Sequence, residues 1–380
     1  MKWEEIELEL IKLRRELHRI PELAFNEANT STRIIEFAKE YNPSQIITNI
    51  GGNGLAIIFS GEEDGKTVLI RCELDALPIA EENTFAHQSK NKNVAHKCGH
   101  DGHMAIVSGL IPKLSKNKLS KGKVVLLFQP AEETGEGASK VLSDRKFVEI
   151  KPDYVFALHN LPGFNANEIV IKENEFAAAS CGLIIKLKGK TSHAAEPENG
   201  ITPSLAIAEL IQSLTGLPNN ENLSDFSLVT IIHSVIGERA FGTTPGYAEL
   251  MATLRAYKND NIKILKELTK KLVETAAKNH KLNFELEWVE EFPSTVNDET
   301  CIRIIEKCAD ENNFPIIKID NPFRWSEDFG HFTNSYNGAM FGLGAGKDHP
   351  QLHNPDYDFP DEIIITGIKM FYSIIKKILG

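Results

Sequence analysis

Between residues 4 and 18 the apolar positions Ile6, Leu8, Leu10, Ile11, Leu13 and Leu17 recur at mostly helical spacing, and Pro21 then ends the helix or turns the chain. A second helix is expected over 27–41. The texture then changes. Residues 55–59, 67–72, 124–128 and 154–158 are short runs rich in Val, Ile, Leu or Phe, nearly unbroken by polar side chains. Such runs suit strands buried on both faces. Helical material separates the later pairs, as at 104–114, and the alternation is that of a mostly parallel sheet covered by helices, an α/β fold.

Near residue 180 the pattern shifts again. Strands are expected at 183–187, 226–236, 247–257 and 282–289, with helices at 203–214 and 259–278. That order reads as a small α+β domain with an antiparallel sheet. After Pro293 the α/β texture returns and runs to a C-terminal helix over 360–379. The expected organisation is one discontinuous domain, 1–179 and 292–380, interrupted by a second at 180–291. Gly342, Gly344 and Gly346 read as a strand-to-loop turn. Gly189-Lys190-Thr191 and Gly346-Lys347 are not phosphate loops, because Ile184 and Phe341 stand where the earlier glycine is required.

A chain of 380 residues is longer than one hydrophobic core usually spans, which fits two domains. The net charge of −11 argues against a nucleic-acid partner, since phosphate binding needs a basic face. No stretch approaches the roughly 18 apolar residues of a membrane span. The start Met1-Lys2-Trp3-Glu4-Glu5 lacks the basic and apolar segments of a secretory signal, and five cysteines form no disulfide framework. A cytoplasmic location is expected.

Ligands of open α/β sheets bind beyond the carboxyl ends of the strands, and metal-capable or acidic residues gather there. After 67–72 come Glu73 and Asp75, carboxylates that point the same way on an extended chain. The run His96-Lys97-Cys98-Gly99-His100-Asp101-Gly102-His103 packs a thiol, three imidazoles and a carboxylate into eight residues, with glycines that allow them to converge. Cys and His together suit Zn²⁺ and similar ions. After 124–128 come Glu132 and Glu133, which repel each other unless positive charge absorbs the repulsion. One can bind metal while the other stays free as a general base. His159 follows 154–158, and His353 lies in a late loop. A lone histidine in such places is more often structural. Taken together, Cys98, His100, Glu133, His159 and His353, with Glu132 free, are enough for two metal ions sharing a ligand.

Further motifs stand in order along the chain: Arg15-Glu16-Leu17-His18-Arg19-Ile20-Pro21-Glu22, Asp75-Ala76-Leu77-Pro78, Ser192-His193-Ala194-Ala195, Thr253-Leu254-Arg255, Ser326-Glu327-Asp328-Phe329 and Leu352-His353. With the Cys98 to His103 run they make the chain resemble the amidohydrolase branch of the M20 metallopeptidase family. That branch holds N-acyl-amino-acid hydrolases, hippurate hydrolases, N-acetyl-diaminopimelate deacetylases and plant auxin-conjugate hydrolases. The resemblance implies two divalent metal ions held by Cys98, His100, Glu133, His159 and His353, Mn²⁺ or Zn²⁺ first, with Co²⁺ or Ni²⁺ also suited to these donors. It implies Glu132 as general base, with Asp101 and His103 as supports behind the ligands. It implies that 180–291 is a lid and often a dimer surface, that His193 holds the substrate carbonyl or its oxyanion, and that Arg255 faces a substrate carboxylate. The plainer reading of Arg255 is a strand residue in a surface ion pair. Two departures stand out: Glu73 where Asp is usual, and Phe241-Gly242-Thr243-Thr244-Pro245 where the family commonly has Asn-Val-Ile-Pro.

The expected activity is metal-dependent hydrolysis of an N-acyl-amino acid or similar small amide to a carboxylate and a free amine. The alternatives are a dipeptidase or aminoacylase with the same site, and an inactive metal-retaining binding protein. Loss of Glu132 or a ligand would favour the last, and none is lost. The expected partner is a small amide, with a homodimer formed through the inserted domain.

Overall fold

The computed structural model describes residues 3–380, so the Met1-Lys2 start weighed above lies outside the described residues. The chain forms two compact units. The larger comprises the chain up to Phe176, Thr295–Asn321 and Glu327–Gly380; the smaller comprises Ala177–Ser294 and Pro322–Ser326.

The larger unit is built on an eight-stranded sheet in the order Gln45–Ile50, Gly54–Ser60, Lys121–Gln129, Glu63–Glu73, Tyr154–Pro162, Asn337–Gly346, Ile169–Ile171, Ile316–Lys318. The four central strands, from Lys121–Gln129 to Asn337–Gly346, are mutually parallel. The flanks break the parallel pattern. Gln45–Ile50 and Gly54–Ser60 form an antiparallel pair that joins Lys121–Gln129 antiparallel, and Ile169–Ile171 runs antiparallel to Asn337–Gly346.

The apolar runs are central because both faces of the sheet are covered. Val68 and Ile70 point to one layer and Leu69 to the other, and all three are fully buried. On the first layer they meet Leu10, Leu13 and Leu17 of the helix Trp3–His18, Ile106 of His100–Ser108, and Ile368 and Phe371 of Ile364–Leu379. The second helix is Ala28–Lys39, shorter at both ends than the apolar pattern implied. Among the described residues no helix is long and apolar enough to cross a membrane.

Gly342 and Gly344 are not a turn but lie inside the buried strand Asn337–Gly346. They are glycines because neighbouring chain presses on them: a Cβ at Gly342 would run into Leu161, and one at Gly344 into the carbonyl of Asn165. Only Gly346, with φ 120°, takes a conformation reserved for glycine.

The smaller unit is a four-stranded antiparallel sheet in the order Asn283–Phe292, Ala179–Lys188, Tyr247–Ala256, Ser227–Ile236. Alternate residues such as Leu183, Ile185 and Leu187 face Leu210 and Leu214 of the helix Ser204–Gly216 and Leu265 and Val273 of Asn259–Asn279.

The helix His100–Ser108 sits so close to the C-terminal segment that a Cβ at Gly102 would overlap the Phe359 ring. Gly102→Ala is therefore expected to destabilise the larger unit by about 1–3 kcal/mol, the usual cost of overpacking, read as a lowered denaturation midpoint. An unchanged midpoint would contradict this packing.

Candidate metal centre

The central strands are parallel, so their carboxyl ends share one edge, and the loops leaving that edge build the site. Cys98 and His100 flank Gly99, the residue that caps the helix His100–Ser108 with φ 91°. Glycine is required there twice over. The left-handed backbone excludes most side chains, and a Cβ would lie 2.6 Å from Asn160 Oδ1.

The histidine tautomers follow from their partners. His100 Nδ1 donates to the carbonyl of Asp75 at 2.9 Å, and His159 Nδ1 donates to that of Asn160 at 2.9 Å. Each ring therefore presents Nε2 as a lone pair, the arrangement that metal-binding imidazoles adopt. Burial lowers both pKa values, His159 to about 3, so both rings are neutral. Cys98 Sγ lies 3.5 Å from His159 Nε2. Burial, then the charges of Glu133 and Glu132, push the Cys98 thiol well up. His353, on a positive φ of 66°, is fixed by its backbone N–H to the Lys97 carbonyl at 2.7 Å, and its Nε2 lies 3.8 Å from Glu133 Oε2.

Glu132 and Glu133 follow the strand Lys121–Gln129 after a turn at Ala131. Asp75 receives both of their backbone N–H groups, at 3.1 and 3.0 Å. Glu132 Oε2 and Glu133 Oε1 approach His100 Nε2 to 3.8 and 3.9 Å, and Glu132 Oε1 accepts the N–H of Asp328 at 3.3 Å. Burial, then the charges of Glu327, Glu133 and Asp328, drives the Glu132 pKa well above the carboxylate range. Burial and the Asp75 charge do the same to Glu133.

Donor atoms of Cys98, His100 and His159 lie within 4.8 Å of one another, as do those of Cys98, Glu133 and His353, and those of His100, Glu132 and Glu133. All six residues expected to carry the metal chemistry thus come together. Among the described residues, His100 Nε2 and Glu133 Oε1 are buried without a hydrogen-bond partner. Orphaned donors of this kind, beside crowded carboxylates and a thiol, fit divalent cations.

Behind the donors lies a layer that sequence reasoning largely missed. Buried Arg71 pairs with Glu73, Glu327 and Asp328, and its Nε donates to Gln129 at 2.9 Å. Glu73, the longer side chain where Asp is usual, reaches from Arg71 to His103 Nδ1 at 2.6 Å. His103 continues to Asn160 Oδ1 at 2.6 Å, and Asn160 to the Tyr357 hydroxyl. Asp101 turns the other way, to His18 at 2.8 Å and Arg14 at 3.3 Å. Glu73 and Asp75, read as a pair, therefore serve different partners. Glu327 and Asp328 were marked in the sequence only as part of the Ser326 to Phe329 motif, without a role, and Arg71 only as a charged residue within an apolar run.

His193 and Arg255 belong to the smaller unit. His193 is exposed, and its Nδ1 accepts the N–H of Ala195 at 3.1 Å. Its loop is held to the 242–244 segment by the Ala194 N–H to Gly242 O bond. Arg255 is half-buried and donates to Ser326 Oγ and the Arg324 carbonyl at 3.1 and 3.2 Å. Among the described residues it has no ion pair, contrary to the plainer reading, and burial lowers its pKa.

Comparison with known proteins adds the family. Residues 69–377 match the family model described as Peptidase family M20/M25/M40. An N-acetyl-L-cysteine deacetylase of Bacillus subtilis (strain 168) is 30% identical over 376 residues, 98% of this chain and 89% of that protein. An N-acetyldiaminopimelate deacetylase of Priestia megaterium is 29% identical, covering 91% of this chain and 92% of that one. The crystal structure of a dinuclear metal binding peptidase of the M20 family from Bacillus subtilis superposes with a TM-score of 0.84 at 26% identity, covering 99% of each chain.

The His18 side of the support layer yields a pH test. Burial alone would lower the His18 pKa, but the charge and hydrogen bond of Asp101, then Glu81, outweigh it and raise it to about 9. The folded value exceeds the ordinary 6.5, so the stabilisation is complete below about pH 6.5 and is lost as pH rises through about 9. His18→Gln should therefore cost the metal-free protein more at pH 6 than at pH 9, by up to about 3 kcal/mol in chemical denaturation. Equal costs at the two pH values would contradict a charged His18.

Proposed function

Because the chain belongs to peptidase family M20/M25/M40, we propose that it is a di-metal amidohydrolase cleaving N-acyl-amino acids, or similar small amides, to a carboxylate and a free amine. The observation that carries this reading is the set of orphaned, buried donors around His100 and Glu133, with a second glutamate alongside. The deacetylase names of the relatives favour an acyl-amino acid over a dipeptide.

Cys98, His100, Glu133, His159 and His353 would hold the ions, Mn²⁺ or Zn²⁺, with Co²⁺ and Ni²⁺ compatible with the same donors. Divalent ions bound there supply acidified water and a polarised substrate carbonyl. Glu132 takes the proton of the attacking water at Oε2, while the Asp328 N–H holds Oε1. The same carboxyl then delivers that proton to the leaving nitrogen. His193 receives the Ala195 N–H on Nδ1, so its own proton sits on Nε2, where it can donate to the carbonyl oxygen. Arg255, a cation without an ion pair among the described residues, is assigned to the substrate carboxylate.

The smaller unit is assigned as lid and homodimer surface. Its edge strand Ser227–Ile236 carries exposed Ile232, Val235 and Ile236, an unpaired apolar edge suited to a second copy. A cytoplasmic location, compatible with five free cysteines, completes the reading.

Glu132→Gln should keep its metal and lose about 10²- to 10⁴-fold in turnover, the usual worth of a general base. Full activity in that variant would remove Glu132 from the mechanism. A panel of acetyl-amino acids, benzoyl-glycine and simple dipeptides, assayed with Mn²⁺ and with Zn²⁺, should show turnover of the acyl substrates; preference for dipeptides would replace the reading with a dipeptidase.

A further inference from the structure

Glu27 is fully buried, which raises its pKa, and among the described residues no cation offsets that burial. Its Oε1 accepts the N–H groups of Phe25 at 2.8 Å and Ala131 at 2.9 Å, and its Oε2 accepts Asn53 Nδ2 at 3.1 Å. Burying a carboxylate is costly, and nothing here offsets that cost except hydrogen bonds to the charged form. What those bonds hold is unusual backbone. Phe25 and Ala131 both have positive φ, 62° and 52°, a region that side-chain-bearing residues seldom occupy.

Ala131 is the residue immediately before Glu132. It is fully buried, and its left-handed turn redirects the chain as it leaves the strand Lys121–Gln129. The next two N–H groups, of Glu132 and Glu133, go to Asp75. Three consecutive amides are thus gripped by two buried carboxylates, Glu27 for the first and Asp75 for the next two. Asp75 fixes where Glu132 and Glu133 begin. Glu27 fixes the peptide rotation at Ala131, which sets the direction in which Glu132 leaves the main chain toward His100.

We infer that Glu27 is a positioning residue for Glu132, holding the left-handed turn at Ala131 that aims the general base. This rests on the base role proposed for Glu132. Glu27 spends its acceptors on Phe25, Asn53 and Ala131, and it acts on the reaction only through the last. Its effect falls on kcat, because a misaimed base spoils proton transfer while leaving the substrate contacts in place.

The test uses Glu27→Ala, Glu27→Gln and the double variant Glu27→Ala/Ala131→Gly in the full chain. Glu27→Ala should retain metal and KM and lose about tenfold or more in kcat, since small misplacements of a reacting group are this costly. Glycine adopts positive φ freely, so adding Ala131→Gly should restore most of that loss. Denaturation midpoints measured on all three variants separate this repair from a general gain in stability, since glycine at a positive φ also relieves strain. In the metal-free protein, hydrogen exchange over residues 130–134 should accelerate about tenfold in Glu27→Ala, independently of any activity. Should Glu27→Ala fail to fold, Glu27→Gln carries the test. Its neutral oxygen is a weaker acceptor, so kcat should fall and local exchange rise by about threefold, with the kcat loss again reversed by Ala131→Gly. Wild-type kcat and exchange in the variant that folds, or a kcat loss that glycine does not repair, would overturn the inference. Activity of Glu132→Gln separately tests the base role, and the exchange result stands whatever that shows.

Discussion

Glu132, Glu133, Glu327 and Asp328 crowd four carboxyl groups into one largely buried cluster, and one buried guanidinium opposes their charge. Arg71 is already shared among Glu73, Glu327 and Asp328. The excess appears as carboxyl pKa values driven upward and as donor atoms left without partners. A protein interior does not hold such a cluster without compensation. Divalent cations, proposed above to bind at His100, Cys98 and Glu133, would supply it, and the surrounding structure would then be the scaffold that keeps these like charges close until they bind.

That scaffold spends its hydrogen bonds on backbone. Asp75 holds the amides of Glu132 and Glu133, Lys97 offers its carbonyl to His353, and the carbonyls of Asp75 and Asn160 choose the tautomers of His100 and His159. Each bond fixes a direction without adding a competing ligand. The ionic layer behind, from Arg14 and His18 through Asp101 and from Arg71 through Glu73 to His103, ties the first helix and the central strand to the donor loop. Positive φ at Ala131 and His353 and at Gly99 shows where the chain is bent to make donors from distant segments converge.

Much of this was legible in the sequence. Three of the four unbroken apolar runs marked strands of the parallel centre, and the fourth, 55–59, is equally buried but runs antiparallel on the flank, a difference that burial alone does not reveal. The density of Cys and His around Gly99 marked the site because few other roles need them so close. What escaped had a physical reason in each case. Gln45–Ile50 is an edge strand with only two buried residues, too polar to read as a run. Asn337–Gly346 is a central strand whose glycines answer pressure from Leu161 and Asn165, which no local pattern reveals. Glu27 and Arg71 act through residues 50 or more positions away, and Asp75, though singled out as a strand-end carboxylate, gave no sign that it binds main-chain N–H groups, because such a role leaves no periodicity.

The most direct test of the central claim is calorimetric titration of the metal-free protein with Zn²⁺ or Mn²⁺ in buffers of different ionisation enthalpy. If buried like charge and a protonated Cys98 thiol await cations, two ions should bind per chain with release of protons, because the thiol must ionise to ligate. Binding of no ion, or of a single ion with no proton released, would contradict the account.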